Sequence, residues 1–144
     1  MLTIPYPKPK TPEEAVANGV AWLDKYVPDW WNHIEVKELD LSSTCKCVLG
    51  QLIGNHSFVV EGDRISPYDV ATGHRHPNLR EMLLRGTRLR YTPIMDDPTE
   101  LGFDYRADTE LDDEDAAYSE LSRLWTRVIN GRRSLTYRKP LRDK

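Results

Sequence analysis

Apolar residues recurring at helical spacing are what most constrain the fold of this chain. Between Asp113 and Asn130, the residues Ala117, Leu121, Leu124, Trp125, Val128 and Ile129 fall on one side of a helix. Carboxylates crowd its first turn and arginines its end, the order the helix dipole favours, and Gly131 supplies a stop. Such a stripe has to be buried against partners of the same kind, and two more are present. Thr11, Pro12 and Glu14 make a capping box with proline at the first helical position, after which Val16, Val20, Leu23 and Val27 line one face up to Pro28. Ser42 or Ser43 can cap another helix, in which Cys45, Val48, Leu49, Leu52 and Ile53 share a face and Gly54 ends the run.

The segment between these stripes reads differently. From Ser57 to about Pro98 there are short β-prone runs broken by Gly62 and Pro67. The stretch "HPNLREMLLRG" has Pro77 in its first turn and directs Leu79, Met82 and Leu83 inward. The stretch "RGTRLRYTP" alternates like a strand, with Arg88 and Arg90 on one face and Leu89 on the other. The expected fold is therefore mainly α: a small helical domain of three to four helices near 12–26, 43–53, 77–85 and 113–130, with a minor β element in an inserted segment at about 57–98. Residues 1–10, with prolines at 5, 7 and 9, read as a flexible Pro-rich tail, residues 11–131 as a single domain, and residues 132–144 as a basic C-terminal tail. Of the adjacent Trp30 and Trp31, one is expected under the first helix and the other at the rim.

At 144 residues the chain is long enough to bury a core without disulfides, and 39% hydrophobic with 30% charged residues is the balance of a globular domain. No apolar run is long enough for a transmembrane helix, and nothing at the N-terminus has the apolar region of a signal peptide, so a cytoplasmic protein is expected. The net charge of −3 conceals an asymmetry. Ten carboxylates lie between Asp96 and Asp115, against the single Arg106, whereas Arg132, Arg133, Arg138, Lys139, Arg142 and Lys144 crowd the C-terminus.

The stretch "VANGVAWLDKYVPDWWNHIEVKELDLSSTCKCVLGQLIG", the element "LGFD" and the stretch "YSELSRLWTRVINGRR" together resemble a family of small uncharacterised proteins encoded by actinobacterial phages. The resemblance covers both ends of the chain and leaves out 57–98. It implies a phage-type protein in the cytoplasm of an infected bacterial host, and it implies no activity.

Cys45, Cys47, His56, His74 and His76 include the atoms of a zinc site, yet a C-x-C pair without a second closely spaced pair falls short of zinc-finger spacing. On a helix, moreover, Cys45 and Cys47 diverge, and each reads as a small buried hydrophobe. A cysteine nucleophile with His33 or His56 would need an accessible thiolate, and the crowded carboxylates of 96–115 read as a solvated face. No phosphate-binding loop, dinucleotide fingerprint or nucleophile elbow is present. The expectation is a non-enzymatic protein without cofactor or metal that binds a host or phage protein through its middle segment. Candidate contacts are Trp30, Trp31, Arg80, Arg85, Arg88, Arg90 and Tyr91. The alternatives are nucleic-acid binding by the same arginines, with Arg75 and the basic tail, and a small zinc-binding domain.

Overall fold

Thr11 starts the first helix as its sequence predicts. Its hydroxyl accepts from the Glu14 amide at 3.1 Å, while the Glu14 carboxylate reaches back to the Lys10 amide at 2.7 Å. The computed structural model describes residues 8–43, 46–54, 58–73, 76–95, 97–104 and 114–142, with the side chains of 67, 68, 77 and 136–142 left aside. Helix α1 (Pro12–Tyr26) is followed by 3-10 turns at Trp30–His33 and Val36–Glu38, then α2 (Val48–Ile53) and a hairpin of β1 (Phe58–Val60) and β2 (Asp63–Ile65). Helices α3 (Pro67–Thr72) and α4 (Arg80–Leu84) come next, then a 3-10 turn at Pro98–Leu101 and the long α5 (Glu114–Arg142). The fold is mainly helical, with a small two-stranded antiparallel sheet in the middle segment. Among the described residues, no helix is long and apolar enough to cross a membrane.

Trp125 of α5 is the hub. It is fully buried, stacks on Phe103 at 5.3 Å and meets Trp30 edge-on at 5.6 Å. Its indole Nε1 donates to the Gly102 carbonyl at 2.7 Å, so its one polar atom is satisfied inside the core. Gly19 of α1 lets the Pro98–Leu101 turn approach the helix backbone: a Cβ there would lie 2.0 Å from the Leu101 carbonyl oxygen. Asn18 Nδ2 donates to the Glu100 carbonyl and secures the same contact. Val16, Leu23, Leu49, Leu52, Leu121 and Leu124 are buried as their spacing predicts, with Val20 half-buried.

The structure corrects the expectations at several points. Helix α2 begins at Val48, not near 43, because both serines are engaged in the turn before it: Asp40 Oδ1 accepts from both the amide and the hydroxyl of Ser42, and Ser43 Oγ accepts from the Lys46 amide. Cys47, in extended conformation, caps α2 through its sulfur. Helix α3 was not foreseen, although Ser66 caps it, Pro67 opens it and Gly73 closes it at φ 76°. Residues 85–91 form turns instead of a strand, yet Leu89 is buried between exposed Arg88 and Arg90 as the alternation implied. In α4 the inward pair is Arg80 and Leu84, four residues apart, so Met82 turns outward and is 53% exposed.

Helix α5 also runs through Gly131 to Arg142, where a tail was expected. A helical glycine costs about 1 kcal/mol relative to alanine, and here side-chain bonds on the far side of it offset that cost. Arg132 grips Asp24 of α1 with two bonds of 2.9 and 2.8 Å, and Arg133 donates to the carbonyls of Trp31 and Ile34. Finally, the middle segment shares the core of the two ends. Phe58, Val60, Ile65, Val70, Ala71, Leu84, Leu89 and Met95 belong to the same core as Leu23 and Trp125.

Candidate functional site

The sequence candidates separate into buried and exposed groups. Trp30 is fully buried and its Nε1 donates to Asp24 Oδ1 at 3.0 Å, so it is a core residue and not a surface anchor. Trp31 is half-buried against the core, with its carbonyl accepting from Arg133. Arg80 is 5% exposed: Nε donates to the Ala71 carbonyl at 2.9 Å, and the two terminal nitrogens reach Thr92 and the Pro93 carbonyl. Burial pulls its pKa down from the usual arginine value. Arg80 is thus withdrawn from any partner and instead fastens the segment after residue 91 to α3.

Arg85, Arg88, Arg90 and Tyr91 remain at the surface. They lie on a loop that is held at several points. Thr87 Oγ1 donates to the Leu84 carbonyl and accepts from the Leu89 amide, the Arg88 amide donates to Leu52 of α2, and Thr92 Oγ1 donates to the Leu89 carbonyl at 2.7 Å. Leu89 plugs the loop into the core at 0% exposure. The loop therefore presents Arg88, Arg90 and Tyr91 from a fixed frame. Tyr91 is 84% exposed and sits at φ 67°, a left-handed conformation that costs a non-glycine residue about 1–2 kcal/mol. The Arg90 guanidinium lies 5.8 Å from the centre of its ring, within cation–π range.

This loop forms one wall of a cleft of about 800 Å³. The other walls are the end of α1 with Tyr26, Val27 and Pro28, the exposed His33, and the last turn of α2 from Gln51 to Gly54. Gln51 is already engaged, bonding Glu35 and the Lys46 carbonyl, so it braces the wall. Among the described residues no carboxylate lines the cleft, and none pairs with Arg85, Arg88 or Arg90. The sequence reading found the arginines and Tyr91 but not His33, Tyr26 or Pro28 as their neighbours. These come from segments far apart in the chain, and nothing local marks them as sharing a wall.

A second cleft, of about 550 Å³, lies between Leu39–Ser42 and α5. Several of its polar groups are already engaged: Ser122 Oγ accepts from the Leu41 amide, Arg123 pairs with Glu120, and Ser42 donates to Asp40, holding that carboxyl below the usual range.

Cys47 is buried, and desolvation pushes its thiol up to about 11, which disfavours the thiolate a nucleophile requires. Cys47 stands before the first residue of α2, so the divergence expected from helical geometry does not apply to it. Cys45, His56 and His74 lie outside the described residues, as do Arg75 and residues 105–113 of the acidic connector. Among the described residues no group of three or more His, Cys, Asp or Glu side chains is placed to hold a metal ion. Comparison with protein-family models, with curated proteins and with solved structures found no match.

Proposed function

We propose that the chain is a non-enzymatic, phage-type accessory protein that binds a partner protein in the cytoplasm of a bacterial host, through the cleft walled by Arg88, Arg90 and Tyr91. The observation that carries this reading is Tyr91 itself, an aromatic held out in solvent in a strained backbone conformation on a loop that is otherwise tied down. Strain persists where the surroundings impose it, and it clusters at sites of recognition. Tyrosine and arginine are also the side chains that dominate interface energies. The phage association rests on the resemblance of the two ends of the chain.

The test is a pull-down from actinobacterial lysate with the intact protein, a variant carrying Arg88→Ala, Arg90→Ala and Tyr91→Ala, and a control variant altered at exposed Val59. Partner capture by the intact and Val59 proteins, lost in the triple variant at unchanged melting temperature, is the expected result. Equal capture by all three sinks the assignment of the cleft. Nucleic-acid binding is the second reading, favoured by the Arg90 guanidinium beside an exposed aromatic ring, a pair that suits a nucleobase. Capture of nucleic acid that weakens steeply with salt would promote it.

A further inference from the structure

We infer that the cleft takes an acidic peptide segment of its partner, with carboxylates against Arg88 and Arg90 and an aromatic or apolar side chain against Tyr91; this rests on the reading that the cleft is the binding site. The motive is a reversal of sign. The chain carries 23 carboxylates against 20 lysines and arginines, yet the described cleft lining contains two arginines and a histidine and no carboxylate. Both guanidiniums are exposed and without an acidic partner among the described residues. Their planar forks are therefore open to carboxylate oxygens, a pairing whose geometry is bidentate and specific. Electrostatic complementarity of this kind selects partners and speeds encounter.

Size and surroundings favour a short peptide over a nucleic acid. A cleft of about 800 Å³ accommodates a few residues, and exposed Pro28 and Tyr91 in its lining offer apolar contact to a side chain. An extended polyanion would also meet the net negative charge of the chain, whereas a short acidic segment meets only the cleft. Two arginines neutralise too few phosphates to supply much of the counterion-release energy on which nucleic-acid binding depends.

The experiment is an amide-resolved NMR titration of the full chain with three probes: a short Asp/Glu-rich peptide containing one tyrosine, the same peptide with Asn and Gln in place of the acids, and an oligothymidylate. Shifts at His33, Gly86, Thr87, Arg88, Arg90 and Tyr91 with the acidic peptide are expected. The neutral peptide, and an Arg88→Glu/Arg90→Glu variant of unchanged melting temperature, are expected to bind about tenfold or more weakly. Equal binding of acidic and neutral peptides at these residues keeps the cleft as the site and overturns the charge selection. Shifts at the same residues with the oligonucleotide but not with the acidic peptide overturn the inference in favour of nucleic acid. Shifts confined to another surface, or none with any probe, overturn it as well, and a partner captured independently of the cleft is what would sink the underlying assignment.

Discussion

Arg80 and Tyr91 show how single residues divide the labour of the middle segment. The Arg80 guanidinium satisfies the carbonyls of Ala71, Thr92 and Pro93 together with the Thr92 hydroxyl, and it is buried with them. Arg80→Met would fill the same space without a donor and strand those acceptors, each at about 1–3 kcal/mol where fully desolvated. A drop of at least that size in unfolding free energy, measured by urea denaturation, is expected; an unchanged midpoint would mean that the bonds contribute nothing net. Tyr91 behaves in the opposite way. Glycine at that position removes the left-handed penalty of about 1–2 kcal/mol while adding backbone entropy to the unfolded chain, so Tyr91→Gly is expected to leave the melting temperature unchanged or raised. Partner binding by the same variant is expected to fall, and a variant that melted early while binding normally would assign Tyr91 to structure.

Between elements, close approach decides what substitutions do, and two helical glycines make a matched pair. Alanine is the better helix former by about 1 kcal/mol at either position. At Gly131 a Cβ would meet nothing within 4 Å, so Gly131→Ala is expected to stabilise the protein by up to that amount. At Gly19 the new carbon would lie 2.0 Å from the Leu101 carbonyl oxygen and 2.9 Å from the Trp125 ring. Overpacking of this kind costs about 1–3 kcal/mol or more, so Gly19→Ala is expected to destabilise by prising α1 from the Pro98–Leu101 turn. Opposite shifts in thermal midpoint are the check. The link between α1 and the end of α5 has its own signature in pH. The hydrogen bonds from Arg132, and secondarily from Trp30, hold the Asp24 carboxyl below the usual aspartate range against an opposing desolvation. A depressed folded-state pKa contributes stability that is present above the unfolded value and lost as pH falls through the folded one, hence below about pH 4. Asp24 is largely exposed, so the effect is modest, and Asp24→Asn is expected to flatten that part of the stability–pH curve.

At the scale of the whole molecule, what could be read from the sequence was what local chemistry determines. The Thr11 cap, the α1 and α5 stripes and the alternation around Leu89 each have their cause within a few residues, and each stands in the structure. The serine cap failed because Asp40 holds the Ser42 hydroxyl and Ser43 Oγ takes the Lys46 amide, and the helix stop at Gly131 failed because Asp24, more than a hundred residues away, holds Arg132. The site was half legible for the same reason: exposed arginines and Tyr91 are visible in sequence, whereas the burial of Arg80 and the arrival of His33 are tertiary facts. Least legible was how 57–98 packs, because its apolar residues sit on elements too short to show periodicity. Phe58, Ile65, Val70, Leu84, Leu89 and Met95 nonetheless pack in one core with Leu23, Leu52 and Trp125. A shared core implies shared unfolding. Denaturation followed by tryptophan fluorescence, which reports on Trp22, Trp30, Trp31 and Trp125, is therefore expected to coincide with loss of the Ile65, Leu84 and Leu89 methyl signals, which report on the middle segment. Removal of 58–95 is expected to abolish folding altogether, since it strips one side from Leu49, Leu52 and the rest of α2. Two separated transitions, or a folded protein without 58–95, would show that the segment is a dispensable attachment; coincident loss would place the binding loop and the helical core in a single cooperative unit, so that ligand bound in the cleft raises the melting temperature of the entire chain.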